Sequence, residues 1–155
     1  MTDTFPSVEW FQTLADCMAA QPEKYGRLGP LDLALIARIV HPDERGEAFR
    51  LVFKGHACRA VERVEGDLRP LEGPHTVIIE GPYDAWRGMV DNIRTHGAAD
   101  REHTLDYLTL PDRPLRLVPA DGGEGQLEVD RFYRYIESLQ EFFNEAVNVQ
   151  TRFAA

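Results

Sequence analysis

The sequence predicts an α+β domain in which an antiparallel meander of strands is covered by helices on one face. Segments of alternating apolar residues follow one another over residues 33–64 and are joined by short turn-like stretches. Segments with apolar residues at helical spacing lie before and after them, at residues 7–20 and 130–147. No repeat and no linker-like stretch divides the chain, so we expect a single domain over residues 1–155.

Composition narrows the class of protein. The chain is 43% apolar and 28% charged, which is typical of a globular domain that buries about 70% of its unfolded surface. Its net charge of −9, without clustered cations, argues against a nucleic-acid partner. The longest apolar run, Leu33–Ala37, is far shorter than the ~20 residues that span a bilayer. Because no basic stretch precedes an apolar one near the N-terminus, we expect a cytoplasmic protein without membrane insertion.

The first helix is expected from Ser7 to Ala20, because the Ser7 hydroxyl can accept an orphan backbone N–H. Its apolar face consists of Val8, Phe11, Leu14, Ala15 and Met18. Pro22 and the stretch 26–30 are expected to end it. Strands follow at residues 33–40, 49–54 and 56–64, and short turns between them predict antiparallel pairing.

The second half begins with a short strand, Thr76–Glu80, which Gly81-Pro82 turns into a helix. The apolar stripe of this helix is Ala85, Trp86, Met89, Val90 and Ile93, and Gly97 is the expected stop.

Residues 100–110 favour a short helix, and Leu115–Val118 an edge strand. A final long helix is expected to begin near Asp130 as its cap and to run to Val147.

Several kinds of chemistry are excluded by missing motifs. Ser7 and Ser138 do not lie in a G-x-S-x-G elbow, and no lysine completes a P-loop. H-E-x-x-H and C-x-x-C are absent as well. We therefore expect no catalytic constellation and no cofactor.

The remaining candidate sites are weak. His56 and Cys58 are two residues apart on a strand and could hold a metal with His41, but no further ligand pair supports this, so we expect none. The glycine-rich stretch 122–125 carries Glu124 and no lysine, which favours a flexible connection over a phosphate loop. Cys17 and Cys58 form no disulfide framework and are expected as thiols.

Bulky apolar side chains leave two interpretations open. Trp86 and Met89 on one helix, and Phe132, Phe142 and Phe143 on another, form either a closed core or the wall of an apolar cavity. Composition does not separate the two.

Residues 77–86, Val-Ile-Ile-Glu-Gly-Pro-Tyr-Asp-Ala-Trp, resemble the strand–helix joint of the sterol carrier protein 2 family. The helix beginning at residues 5–11, the strand 49–55 and the hairpin into 57–64 fit the family's order of elements. After the joint helix, residues 108–117 replace the family's glycine-spaced late strand. The resemblance implies a five-stranded, antiparallel-rich sheet with helices on one face, and an apolar tunnel that binds sterols, fatty acids or acyl-CoA without catalysis.

This resemblance, with the apolar stripes, predicts a lipid site between the sheet and the helices. Its expected lining is Leu51, Phe53, Val77, Ile79, Trp86, Met89, Val90, Ile93, Ile136, Leu139 and Phe143.

Two alternatives to lipid binding remain. One is a self-associating or partner-binding domain with a closed core. The other is a small α+β enzyme acting on a steroid-like or polyketide substrate, with Asp91 or His75 as base inside the pocket. If the second sheet face is apolar and uncovered, a homodimer is expected.

Overall fold

Alternating apolar residues produce three long antiparallel strands, as the sequence predicts. They are β2 (Leu31–Val40), β3 (Gly46–Gly55) and β4 (Ala57–Val64). In the computed structural model, which describes residues 2–66, 68, 75–118 and 126–154, these strands form the larger part of one sheet. Leu35 lies opposite Leu51, and Leu33 opposite Phe53, so inner side chains of neighbouring strands are in register.

Two further strands complete the five-stranded sheet. β5 (Thr76–Pro82) pairs parallel to β2, and β6 (Arg116–Val118) pairs antiparallel to β5 at the edge, giving the order β4-β3-β2-β5-β6. The predicted α+β class, the antiparallel-rich sheet and the edge position of residues 116–118 are confirmed.

Helices α1 (Val8–Ala19) and α3 (Tyr83–His96) follow the predicted patterns closely. The Ser7 hydroxyl accepts a hydrogen bond from the backbone N–H of Trp10 at 3.0 Å and caps α1. Gly97 ends α3 in the left-handed region, with φ of 90°. A short helix, α4 (Leu105–Leu108), lies within residues 100–110, where the sequence favours a helix.

Two helical expectations are wrong. Pro22 does not simply end α1; it begins α2 (Pro22–Leu28), because proline at the first helical position lacks only an N–H that would be unpaired there. The C-terminal helix is not one element beginning at Asp130, which lies inside α5 (Gln126–Arg134) rather than capping it.

A break at Tyr135 separates α5 from α6 (Ile136–Asn144), and a 3₁₀ turn, Glu145–Asn148, follows. The break allows α5 to contact β5 while α6 packs against α1 and α3. The glycine-rich stretch 122–125 lies outside the described residues.

The two ends of the chain pair with each other. β1 (Asp3–Phe5) and β7 (Thr151–Phe153) form a parallel two-stranded sheet. The indole Nε1–H of Trp10 donates to the Thr151 hydroxyl at 3.0 Å, which ties this pair to α1.

The two faces of the five-stranded sheet differ in character. The inner face carries the main core beneath the helices. On the outer face, Ile36, Ala48 and Ile78 form a small buried group against which Leu68 packs. The same outer face carries ion pairs between Arg38 and Glu80 and between Arg116 and Glu80. No helix among the described residues is long and apolar enough to cross a membrane.

Candidate ligand-binding site

The predicted site residues lie together between the sheet and the helices. Leu51, Phe53, Val77 and Ile79 point from the inner faces of β3 and β5, and the helical members come from α3 and α6. All are buried in one apolar cluster except Ile136, which is half-buried and packs against that cluster. The hydrophobic periodicities of 2 and 3.6 residues were sufficient to place these side chains on a common side.

Three phenylalanines that the predicted lining omits contribute to the same cluster. Phe11 of α1 lies 5.1 Å from Phe49 and 6.3 Å from Phe143, measured between ring centroids. Phe142 meets Phe53 edge to face at 5.0 Å. Phe11 belongs to the helical stripe of α1, Phe49 to the alternation of β3, and Phe142 to α6. The docking of α1 on the sheet brings Phe11 against Phe49. We call the eleven predicted residues with Phe11, Phe49 and Phe142 the apolar layer.

Ring contacts fill the centre of the apolar layer. The ring centroid of Trp86 lies 6.1 Å from that of Phe143, and Phe143 lies 5.6 Å from Phe142 in an edge-to-face arrangement. Such aromatic pairs contribute about 0.5–1.5 kcal/mol beyond their buried area. A ligand entering the layer therefore has to displace side chains that already contact one another.

The rim of the apolar layer is more open. Ile136 lines a surface cleft of about 330 Å³ together with Thr104, Asp106, Glu137 and Gln140. This places the half-buried member of the predicted site where the layer meets solvent, at the start of α6.

The two tryptophans differ in how their N–H groups are satisfied. Neither side chain has any exposed surface. The Nε1–H of Trp10 donates to Thr151, whereas the Nε1–H of Trp86 has no hydrogen-bond acceptor among the described residues. Buried tryptophan N–H groups usually have a partner, so Trp86 is an unusual member of an otherwise apolar layer.

A buried carboxylate lies beside the layer, in the 3₁₀ turn after α6. Glu145 is 2% exposed, and its Oε2 accepts hydrogen bonds from Tyr25 (2.6 Å), Gln21 (2.8 Å) and Lys24 (3.0 Å). Burial alone raises the pKa of Glu145, but these donors outweigh it and hold the pKa below its ordinary value. Since all three donors to Oε2 come from α2 or from Gln21 just before it, the cluster links α2 to the C-terminal segment, where Asn148 donates to Oε1 at 3.1 Å.

The second polar cluster lies at the turn between β2 and β3. The Glu47 carboxylate pairs with His41 at 2.5 Å and with Arg63 at 2.7 Å. Burial raises the pKa of Glu47, but the hydrogen bonds from Arg63 and His41 lower it further than burial raises it. This cluster links the residue after β2 to β3 and β4.

The candidate metal ligands do not assemble. His41 is engaged with Glu47, His56 is exposed, and burial raises the pKa of the Cys58 thiol to about 12. A thiol with so high a pKa carries little of the thiolate that binds metals. Within the described part of the chain, no group of three or more His, Cys, Asp or Glu side chains could hold a metal ion.

The candidate catalytic bases lie outside the apolar layer. Asp91 and His75 are both exposed, and His75 lies 3.9 Å from the exposed carboxylate of Asp32. An enzyme of the predicted alternative kind requires one of these groups inside the pocket, and neither is there.

Comparison with known proteins supports the fold. No protein-family model matches the chain, and no curated protein matches its sequence. A conserved hypothetical protein from Thermus thermophilus, described as a candidate sterol carrier protein, matches with a TM-score of 0.57 and 16% identity, over 94% of this chain and 90% of its own. A crystal structure of sterol carrier protein 2 matches with a TM-score of 0.58 and 19% identity, over 91% of this chain and 95% of its own. The chain therefore has the fold of sterol carrier protein 2, as the resemblance of residues 77–86 implies.

Proposed function

We propose that this protein binds a lipid or another apolar ligand between its sheet and its helices, and that it acts as a carrier without catalysing a reaction. The observation that carries the proposal is the match in fold to sterol carrier protein 2 over more than nine-tenths of the chain. The apolar layer supports it, because a lipid site requires bulk and shape rather than a catalytic constellation. A cytoplasmic location belongs to the same proposal.

The energetics are those of a carrier that releases its cargo. Burying a tail of about 14 carbons gains about 11 kcal/mol at about 0.8 kcal/mol per CH₂ group. Association and side-chain ordering cost about 4–15 kcal/mol. The closed packing of Trp86, Phe142 and Phe143 adds the cost of separating them. The result is weak to micromolar binding.

A second candidate is a self-associating or partner-binding domain with a closed core. The direct ring contacts in the apolar layer favour this candidate, since a core without room for a ligand is filled in this way. The two candidates differ in whether the layer admits a lipid.

The deciding experiment is a titration of lipid-extracted protein with a long-chain fatty acid or fatty acyl-CoA, followed by tryptophan emission. We expect a saturable blue shift or quenching, because a ligand in the apolar layer contacts the indole of Trp86. The change should survive Trp10→Phe, since Trp10 lies on α1 beside the paired chain ends, and it should disappear in Trp86→Phe.

A steric variant tests the position of the ligand. Val90→Trp narrows the apolar layer and should weaken binding, at a cost of about 1–3 kcal/mol in stability. Its control is Thr95→Trp, at an exposed position on the same helix; because both variants add an indole, their affinities are compared by calorimetry. No response to either lipid, nor to a neutral long-chain ketone, in folded, lipid-free protein would instead favour the closed-core candidate.

A further inference from the structure

The indole N–H of Trp86 is a buried donor without an acceptor among the described residues. Its side chain has no exposed surface, so bulk water does not satisfy the donor either. Leaving such a group unpaired is unfavourable, because no hydrogen bond offsets the loss of its hydration. The second tryptophan makes the contrast clear, because the equally buried Trp10 donates to Thr151 at 3.0 Å.

The side chains of the apolar layer, to which Trp86 belongs, include no strong hydrogen-bond acceptor. The other members of the apolar layer are aliphatic or aromatic residues and one methionine, whose thioether is a weak acceptor at best. Phe143, whose ring centroid is 6.1 Å from that of Trp86, presents no oxygen. An oxygen atom brought into the layer by a ligand would therefore find this N–H free to donate.

The charge of that oxygen is restricted as well. None of the side chains in the apolar layer carries a cation. The ammonium group of Lys24 already forms an ion pair with the buried carboxylate of Glu145 at 3.0 Å. Burying an ionised carboxylate or phosphate in such surroundings costs far more than one hydrogen bond returns. A neutral oxygen, as in a ketone, ester, ether or alcohol, avoids that cost.

We propose that Trp86 Nε1–H donates a hydrogen bond to a neutral oxygen of the bound lipid, so that the site selects oxygen-bearing neutral lipids over pure hydrocarbons and over ionised ones. This inference rests on the proposed lipid-binding function and specifies the ligand class for the same site. One hydrogen bond made to an otherwise unpaired donor corresponds to a preference of about tenfold.

The indole N–H signals in a proton–nitrogen correlation spectrum test this directly, because the chain has only two tryptophans. Thr151→Val removes the hydrogen-bond acceptor of the Trp10 indole, so the signal that moves in this variant belongs to Trp10 and the other to Trp86. The ¹⁵N-labelled protein is titrated with a long-chain symmetric ketone, with the alkane of the same chain length, and with the corresponding fatty acid at neutral pH. We expect the ketone to move the Trp86 signal downfield, whereas the alkane should cause no downfield shift. The Trp10 signal should not move with either ligand.

Affinities measured by calorimetry on the same ligands complete the test. The wild type should bind the ketone about tenfold more tightly than the alkane. Trp86→Phe keeps an aromatic ring but lacks the N–H, so the ratio of the ketone affinity to the alkane affinity should fall to about one. Trp10→Phe should retain the wild-type ratio. The spectrum of the wild type answers the question even if the Trp86 variant fails to fold.

Each adverse outcome has a distinct meaning. If the ketone and the alkane bind equally and the Trp86 signal does not move downfield, the inference is overturned and the proposed lipid binding stands. If the fatty acid at neutral pH binds more tightly than the ketone, the neutral-oxygen preference is wrong. If none of the three ligands binds to folded, lipid-free protein, the proposed function fails and this inference with it.

Discussion

At the scale of single residues, Glu145 joins α2 to the C-terminal segment through the three donors to its carboxylate oxygen Oε2. Glu145→Gln should lower the free energy of unfolding by about 2–3 kcal/mol near pH 7, because a neutral amide accepts more weakly and turns an NH₂ group towards those donors.

The dependence of this effect on pH has a definite sign. The pKa of Glu145 in the folded protein lies below its ordinary value of 4.5. Its contribution to stability is therefore complete above that value and is lost as the pH falls through the lowered pKa. Urea unfolding at a series of pH values should show the wild type and the variant converging in acid.

The matched control for this series is Glu137→Gln, an exposed acid on α6. It should change stability by less than about 0.5 kcal/mol at neutral pH. A Glu145 variant as stable as the wild type at pH 7, or a gap that widens on acidification, would contradict the role given to this carboxylate.

At the scale of elements, the joint between β5 and α3 depends on a glycine that no larger residue can replace without a shift. A Cβ atom built on Gly81 would lie only 2.4 Å from Cδ2 of Leu115 and 3.0 Å from the carbonyl oxygen of Pro114. Gly81→Ala should therefore push the segment before β6 away from β5 and destabilise the protein by about 1–3 kcal/mol.

Gly88 provides a control, at which the same substitution should change stability in the opposite direction. It lies inside α3, and a Cβ atom there would meet nothing within 4 Å. Gly88→Ala should stabilise the protein by about 0.5–1 kcal/mol, because alanine loses less backbone freedom in a helix. Thermal or urea unfolding of both variants measures these opposite changes in stability. A Gly81→Ala variant as stable as the wild type would show that Leu115 and Pro114 do not restrict this position.

The elements predictable from sequence are those with long periodic patterns and clear end signals. The cap Ser7 and the stop Gly97 define α1 and α3 closely, and the alternation around Phe49 and Phe53 places β3. The eleven site residues were predictable as neighbours for the same reason. Their contacts with Phe11 were not, because they depend on how α1 docks on the sheet.

Other features of the fold have no sequence pattern, or one that does not show where an element ends. β1 and β7 are three residues each and pair between opposite ends of the chain. The apolar spacing of Phe132, Ile136 and Leu139 continues across the break at Tyr135, so the pattern predicts one helix where there are two. That the N–H of Trp86 has no acceptor among the described residues is apparent only from the structure.

At the scale of the whole molecule, the outer sheet face bears on the oligomeric state. The sequence predicts a homodimer only if a second apolar face is left uncovered. The apolar centre of that face is small, with Ile36, Ala48 and Ile78 already buried and Leu68 packed against them. Beside it, Arg38, Glu80 and Arg116 form a chain of ion pairs rather than an apolar extension.

We therefore expect light scattering at micromolar concentration to give the 17.6 kDa mass of a monomer. Leu68→Ser should uncover Ile36 and Ile78 and shift the protein towards a dimer or larger species, because an exposed apolar patch on a sheet promotes association. Leu110→Ser is the control, since Leu110 is 43% exposed in the wild type and its loss only removes apolar surface. A wild-type dimer that persists at high salt, where the ion pairs are screened, would show that the apolar part of this face is an interface after all.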